Sequence, residues 1–202
     1  MINVIYEDKN LVALNKPAGG NFDWVLSEHQ NFLPVHRLDK ETSGVIIFAK
    51  NKDSQDHIKK LFKDRAIEKS YQALVVGVMR QSSGTIDLPI GRSATNPLKR
   101  VATGKQRGVL RESRTDFEVL KRFSDFTLLR VMPKTGRTHQ IRAHFSAIHH
   151  PVVCDRLYAG KHFVCPGGIL RQFLHAESIE FDGLRLEADL PKDLKKTLDM
   201  LT

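Results

Sequence analysis

The hydrophobic and polar positions of the chain divide it into short apolar runs that are typical of β-strands. The clearest run, residues 44–49, is continuous, of strand length and rich in β-branched residues, so it predicts a buried strand. Shorter runs of similar character predict further strands at residues 3–6, 11–15, 69–76, 85–90, 114–121 and 126–131.

Three segments follow the helical period instead. Residues 53–65 place apolar side chains on one face and lysines on the other, and residues 138–148 repeat apolar positions at i, i+4 and i+7. A last helix begins near Pro191, because proline is favoured in a first helical turn. The predicted capping residues of the first two helices are Asp53 or Ser54, and Thr138.

Many strands in hairpin-like succession, with few helices, indicate an α+β fold. We expect a largely antiparallel, mixed β-sheet core with flanking helices and loops. Strands and helices do not alternate regularly, which disfavours a doubly wound parallel sheet. The length of 202 residues suits one domain with a buried core and room for two lobes, so we expect residues 1–202 to form a single domain.

The charge of the chain points to a polyanionic partner. Lysine and arginine total 32 against 23 acidic residues, which gives a net charge of +9 spread along the sequence. Nucleic acid is the first partner to consider, with solvated lysines as the alternative. Residues 91–111 read as a long exposed loop or hairpin in which a phosphate contact is as well supported as solvation. Its cations are Arg92, Lys99, Arg100, Lys105, Arg107 and Arg111.

The cysteines and the hydropathy exclude several classes of protein. Cys154 and Cys165 each lack a CxxC partner, which argues against a structural zinc site and predicts free thiols in a reducing compartment. The first ten residues carry charges without an apolar core, so we expect no signal peptide. No apolar run approaches the ~18 residues that cross a membrane. The sequence therefore predicts a cytoplasmic protein.

Three motifs carry candidate chemistry. They are HRLDKETSG at 36–44, KSYQALV at 69–75 and TGRTHQIRAH at 135–144. Taken singly, each key residue has an ordinary reading: a solvated carboxylate, a core tyrosine and a surface arginine. In this order, the three motifs resemble those of the RluA-type pseudouridine synthases. Further matches, at 6–8, 14–19, 155–158 and 174–176, extend the resemblance over roughly residues 3 to 190.

The resemblance implies isomerisation of a uridine already in RNA. The base leaves its ribose at N1 and rejoins it through carbon 5, and the family uses neither cofactor nor metal, although histidines cluster at 139–150. Asp39 matches the catalytic aspartate, Tyr71 the tyrosine under the target base and Arg142 the arginine paired with the aspartate. Whether Asp39 attacks the sugar or removes a proton from it stays open.

The resemblance also suggests substrate-binding residues. Arg37 matches the residue that helps to extrude the nucleotide, and Leu174 is expected near the base, with a core leucine as the alternative. Arg137, His139 and Gln140 would touch RNA phosphates or position Arg142, and local hydrogen bonds at the helix start are the alternative.

The expected partner is structured RNA, a tRNA arm or a ribosomal RNA stem-loop, with no membrane and no obligate protein partner. We expect one catalytic domain with its cleft on the sheet and no separate N-terminal RNA-binding domain. Residues 20–36 depart from the family because they lack the VHPG-like continuation after KPAG, which leaves the substrate open. An RNA-binding module without catalysis and a nucleoside hydrolase are the competing hypotheses.

Overall fold

The computed structural model describes residues 3–20 and 31–201, which form two compact units. The first unit comprises Met1–Ser70 and His175–Pro191, and the second comprises Tyr71–Leu174 and Lys192–Thr202. The single domain expected from the sequence stays a prediction. The departure from the family at 20–36 lies mostly outside the described residues.

The first unit is built on a mixed sheet. Its strands pair in the order β1, β2, β4, β12 and β13, with β3 also paired to β4. All neighbours are antiparallel except β4 and β12, which are parallel. The strand bounds are β1 Asn3–Glu7, β2 Leu11–Lys16, β3 Leu33–Pro34, β4 Ser43–Ala49, β12 Leu174–Phe181 and β13 Leu184–Glu187.

The run predicted as a buried strand is β4, and every residue of it is buried. Helix α1, Lys52–Lys63, follows it and packs Ile58 into the core of this unit. The predicted N-cap at Asp53 or Ser54 is wrong, because the helix begins earlier. The side chain of Asn51 caps it by accepting a hydrogen bond of 2.9 Å from the backbone N–H of Ser54.

An antiparallel sheet forms the core of the second unit. Its strands pair in the order β5, β11, β10 and β6, and β5 contributes its residues from Tyr71 onward. An apolar cluster of this unit lies on the sheet and includes Phe117, Leu129 and Phe145. The strand bounds are β5 Glu68–Val76, β6 Ser83–Asp87, β10 Arg114–Arg122 and β11 Phe126–Pro133.

A second, three-stranded sheet occupies the basic segment that the sequence predicts as a loop or hairpin. Strands β7 (Ile90–Ser93), β8 (Arg100–Val101) and β9 (Gln106–Arg111) pair antiparallel with β7 in the middle, and we call them the small basic sheet. The prediction of a single strand at 85–90 is wrong, because the strand is interrupted between β6 and β7. Pro89 lies at this break and has no N–H to continue a ladder.

Helix α2, Gln140–Ala147, confirms the predicted helix but not its cap. Thr138 is not the N-cap; His139 holds that position in the left-handed region (φ 56°) without a side-chain capping bond. Helix α3, Lys192–Asp199, begins just after Pro191 as predicted. Short 3₁₀ turns lie at Gly160–His162 and Pro166–Gly168. The α+β class with a largely antiparallel sheet is therefore confirmed.

The expectation of free thiols is wrong for this structure. Cys154 and Cys165 form a disulfide that closes a loop within the second unit. Their spacing matches no zinc pattern, and chain spacing alone does not show that a turn and a 3₁₀ segment bring the two side chains together. Cys154 is buried and directly precedes Asp155, where the next turn begins.

Candidate active site

Asp39 lies in a tight turn just before β4. The backbone N–H of Thr42 donates to the carbonyl of Asp39 over 3.0 Å, which closes the turn. Leu38 is buried and anchors the segment in the protein, whereas Asp39 is partly exposed and Arg37 is exposed. The turn therefore presents a carboxylate and an arginine on either side of an apolar anchor.

Lys16 holds this turn from beneath. Its side chain is completely buried, and its ammonium donates to the backbone carbonyls of Pro17 (3.0 Å), Lys40 (2.9 Å) and Thr42 (2.8 Å). An ammonium has three hydrogens, so these three bonds satisfy it completely. The charge of Lys16 thus compensates three inward-facing carbonyls, two of them in the turn that carries Asp39.

The parallel pair of β4 and β12 fixes where the turn enters the sheet. Gly44 (φ +114°) lies directly against the backbone of Ala176, its partner in the ladder. Beside it, Ser43 Oγ lies 2.9 Å from His175 Nδ1, and His175 Nε2 lies 2.9 Å from the carbonyl of Ala188. A carbonyl only accepts, so Nε2 of His175 carries a hydrogen and donates it to Ala188.

His36, the first residue of the HRLD motif, binds the backbone of β4. Its Nε2 accepts the backbone N–H of Ile47 over 3.0 Å, and its ring packs on Phe62 with centroids 5.1 Å apart. Burial, with a contribution from the charge of Lys69, lowers the pKa of His36 to about 3. The imidazole is therefore neutral at physiological pH and acts as a fixed acceptor.

In the second unit, Tyr71 and Leu174 belong to one apolar cluster. Tyr71 is partly exposed on β5 opposite Val131 and packs against the cluster, and Leu174 is 4% exposed within it. Ile141 of α2 joins the same cluster, so the helix that carries Arg142 is seated on the same side chains. The packing of Leu174 fits the alternative of a core leucine.

Arg142 is buried and makes a two-pronged ion pair with Asp155. Its Nε and Nη2 donate to the two carboxylate oxygens over 2.6 and 2.9 Å, and the Asp155 side chain is fully buried. One oxygen of Asp155 also accepts the backbone N–H groups of Leu157 and Tyr158. These bonds fix the plane of the guanidinium to the turn after α2.

The residues at the start of α2 form a hydrogen-bonded network. The buried Gln140 amide accepts from Thr135 Oγ1 (2.7 Å) and the Arg137 N–H (2.9 Å), and it donates to Thr115 Oγ1 (3.0 Å) and the Arg114 carbonyl (3.0 Å). These contacts support the alternative of local bonding at the helix start. The expected RNA contact of Gln140 stays a prediction.

The other two residues of this motif lie closer to solvent. Arg137 is partly exposed and donates through Nε to the carbonyl of Glu112 over 3.1 Å. His139 is partly exposed, with Nδ1 3.1 Å from the hydroxyl of Tyr158. The predicted site residues fall in both units. Arg37 and Asp39 lie in the first unit, and Tyr71, Leu174 and the residues at the start of α2 lie in the second.

Four residues with clear positions in this structure have no role assigned by sequence reasoning: Lys16, Asp155, Tyr158 and His175. All four lie inside segments that match the family. A lysine that ends an otherwise apolar strand, LVALNK, was the available signal for Lys16. For the others, the partners are distant in sequence, so no local pattern reveals them.

The part of the chain that the structure describes holds no group of His, Cys, Asp and Glu side chains that could bind a metal ion. Likewise, no helix among the described residues is long and apolar enough to cross a membrane.

Comparisons with known proteins agree with the motifs. A family model described as RNA pseudouridylate synthase matches residues 10–147. The chain is 39% identical to the dual-specificity RNA pseudouridine synthase RluA of Vibrio cholerae, over 78% of this chain and 69% of that protein. It is 33% identical to the ribosomal large subunit pseudouridine synthase C of Salmonella typhi, over 98% and 69%.

A solved structure supports the fold independently. The human RNA pseudouridylate synthase domain containing 1 superposes with a TM-score of 0.81 at 29% identity, and covers 95% of this chain and 84% of that one. The region that the family model matches contains the turn of Asp39, the strand of Tyr71 and the helix of Arg142. The chain therefore belongs to the RNA pseudouridylate synthases, the isomerases that convert uridine in RNA to pseudouridine.

Proposed function

We propose that this chain isomerises specific uridines in structured RNA, with Asp39 as the reactive group. The observation that carries the proposal is the partly exposed carboxylate on a turn whose carbonyls are held by the buried Lys16 ammonium. Such a turn gives the carboxylate a fixed direction, which suits a group that must meet one atom of its substrate.

The reaction breaks the bond between N1 of uracil and carbon 1′ of the ribose, and it forms a bond between carbon 5 and carbon 1′. Positive charge develops at the sugar as the base leaves, and the carboxylate of Asp39 is suited to attack carbon 1′ or to remove a proton from the sugar. The hydrogen on carbon 5 is finally lost as a proton. N1, freed from the sugar, gains a proton in turn, so the product is an isomer of the substrate. Because the base is recaptured by the ribose and is not lost to water, a single acid suits the reaction.

We also propose roles in this reaction for Arg142 and Tyr71. Two nitrogens of the Arg142 guanidinium are held by Asp155, which fixes its plane, and we propose that it keeps the carboxylate of Asp39 ionised and aimed. Tyr71 is partly exposed on an apolar base, a setting suited to stacking on a detached uracil while the base rotates.

The target nucleotide must leave its helix before it reaches these groups. Unstacking costs a few kcal/mol, and binding of the phosphate backbone by the basic surface offsets that cost. We propose that Arg37, exposed next to Leu38, helps to turn the base out and to occupy its place.

The proposed substrate is a stem-loop of ribosomal RNA or of tRNA, in the cytoplasm and without an obligate protein partner. The name of one relative, a ribosomal large subunit enzyme, supports ribosomal RNA as the substrate, and the name of another, dual-specificity, supports more than one kind of target. Mapping pseudouridines across both RNA classes in cells with and without the gene identifies the target.

Replacement of Asp39 tests the catalytic assignment. In RNA labelled with tritium at carbon 5 of uridine, we expect Asp39→Asn and Asp39→Ala to reduce tritium release by at least about 10³-fold, because the reactive oxygen is lost. RNA affinity, measured by filter binding, should change much less, because one partly exposed carboxylate adds little to binding of a polyanion.

Glu41→Gln is the matched control, since Glu41 lies in the same turn and loses the same charge. It should keep tritium release within about threefold of wild type. Wild-type turnover in Asp39→Ala would refute the assignment. An enzyme that binds RNA without releasing tritium from any class of RNA would be a binding module, and free uracil in stoichiometric amounts would identify a hydrolase.

A further inference from the structure

Tyr158 lies where three parts of the second unit meet. Its side chain is 4% exposed and packs in an apolar cluster with Ile90 of the small basic sheet, Ala102 just after β8, and Ala143 of α2. The turn that begins at Asp155 supplies Tyr158 itself. A single aromatic side chain thus joins the sheet, the helix and the turn.

The hydroxyl of Tyr158 connects two backbone segments. It accepts the backbone N–H of Arg100, on β8, over 2.9 Å, and it lies 3.1 Å from Nδ1 of His139, the residue before α2. A phenol can accept one hydrogen bond while donating another, so both contacts are satisfied together. This oxygen links the small basic sheet to the start of the helix that carries Arg142.

The ring of Tyr158 contacts two cations. The guanidinium carbon of Arg142 lies 4.9 Å from the ring centroid, and Nζ of Lys99, just before β8, lies 5.1 Å from it. Both distances are within the range of cation–π attraction. Asp155 fixes the guanidinium through its hydrogen bonds, and the aromatic ring supports it through its face.

We propose that Tyr158 is a positioning residue that couples RNA binding on the small basic sheet to the orientation of Arg142. Phosphates held on the sheet fix β8, the hydroxyl transmits that constraint to α2, and the ring keeps the guanidinium aligned. The inference rests on the proposed function, because it assigns Tyr158 an effect through Arg142 rather than a contact with the reacting atoms.

Two substitutions separate the hydroxyl from the ring. Tyr158→Phe keeps the ring beside Arg142 and removes the links to Arg100 and His139, whereas Tyr158→Leu removes both. We expect the single-turnover rate at saturating RNA to fall about fivefold in Tyr158→Phe, which loses the two hydrogen bonds, and at least about tenfold in Tyr158→Leu, which also loses the ring contacts.

Tyr6→Phe is the matched control. It removes a phenolic hydroxyl that is bonded to Asp8 over 3.1 Å in the first unit, and it should leave the rate unchanged. Rates are compared per active enzyme, after titration of RNA-binding sites and thermal melting. A merely structural role would lower the melting temperature of the Tyr158 variants but not their rate per folded enzyme.

A double-substitution cycle tests the coupling itself. Arg107, on β9, is exposed, and Arg107→Ala should weaken RNA binding and also lower the rate at saturating RNA in the wild-type background. In the Tyr158→Phe background it should weaken binding to the same degree without lowering the rate further. Equal rate losses in both backgrounds would overturn the coupling.

The outcomes distinguish this inference from the proposed function. If wild type forms pseudouridine, Asp39→Ala does not, and folded Tyr158→Phe keeps the wild-type rate, the inference alone is wrong, whether or not Tyr158→Leu folds. If wild type forms no pseudouridine in any RNA class, the proposed function fails and this inference fails with it.

Discussion

The buried ammonium of Lys16 supports the turn that carries Asp39, the proposed catalytic residue. Lysine is among the residues least often fully buried, because removing its charge from water is costly. Here three backbone carbonyls compensate that cost with bonds of 2.8 to 3.0 Å. Without the ammonium, all three carbonyls would lose this donor, and that of Lys40 would keep the backbone N–H of Gly19 at 3.0 Å.

We therefore expect Lys16→Met to destabilise the protein by roughly 2–4 kcal/mol, because it removes three hydrogen bonds to backbone carbonyls from a buried position. Denaturant titration measures this loss, and tritium release at a temperature where the variant is folded should also fall, since the turn of Asp39 loosens. Lys59→Met, at an exposed position of α1, is the control and should change the stability by less than about 0.5 kcal/mol. Equal stability of the two variants would show that Lys16 does not stabilise the fold.

His36 makes the stability depend on pH. Its pKa is about 3 in the folded protein, below the ordinary value of 6.5. Between these pH values, His36 is therefore protonated in the unfolded chain but not in the folded protein. The free energy of unfolding therefore rises with pH across this window and levels off above 6.5. The contribution of His36 has a slope of up to about 1.4 kcal/mol per pH unit.

In His36→Gln the amide oxygen can still accept the N–H of Ile47, but the side chain does not titrate. We expect this variant to lose less stability than wild type on acidification from pH 6.5 to 4.5, measured by urea unfolding at each pH. Carboxylates whose pKa is lowered, such as Asp116 and Asp193, contribute equally in both proteins and cancel. Parallel stability curves would contradict the assignment.

At this scale, the sequence indicates candidate site residues but not the contacts that their side chains make. Asp39, Tyr71 and Arg142 were identified because they lie in contiguous motifs that match the family. The pairing of Arg142 with Asp155 was not predicted, although both lie in matched segments, because the contact depends on the turn after α2. Long-range partners of this kind need the fold.

At the scale of the elements, the apolar pattern predicted β4 and the amphipathic α1 well, since packing decides both. It failed where polar chemistry or a single backbone feature decides. The cap of α1 is Asn51, which precedes two other good capping residues, and the pattern gives no basis for choosing among them. In the small basic sheet, β8 has only two residues and β9 is exposed, so hydropathy does not distinguish this segment from a loop.

Gly44 determines how closely β4 and β12 approach. A Cβ at this position would lie 2.7 Å from the carbonyl carbon and 2.8 Å from the amide nitrogen of Ala176, and φ is +114°. We expect Gly44→Ala to destabilise the protein by more than about 3 kcal/mol, because both the clash and the backbone strain act against the parallel pair. Thermal or denaturant unfolding measures the loss.

Gly183, in the turn between β12 and β13, separates the two effects. It also has a positive φ (+74°), but no described atom lies within 4 Å of an added Cβ. Gly183→Ala should therefore cost only the strain, about 1–2 kcal/mol. A similar loss in both variants would show that the contact with Ala176 adds nothing.

At the scale of the whole molecule, the excess positive charge lies in the second unit, which carries 20 lysines and arginines against 8 acidic residues, whereas the first unit carries 12 against 15. Electrostatic attraction thus favours RNA in general, while the small basic sheet concentrates cations on one element. The two contributions predict different responses to salt, because only cations that meet phosphates release counterions.

Replacement of Lys99, Arg100 and Arg107 by alanine should reduce the slope of log affinity against log salt by about 2–3 units. The matched control removes the same charge from the exposed face of α1, with Lys59, Lys60 and Lys63 changed to alanine. That variant should weaken binding slightly and keep the slope. Filter binding over a range of salt concentrations makes the comparison, and identical slopes for the two variants would exclude the sheet as a phosphate-binding surface.

The bond between Cys154 and Cys165 makes buffer composition part of any measurement on this protein. The loop that it closes contains Asp155 and Tyr158, which both contact the guanidinium of Arg142. A strong thiol reductant breaks the bond and releases the far end of this loop. Activities from reduced and air-exposed samples thus belong to two covalent forms, and free-thiol titration should accompany every rate.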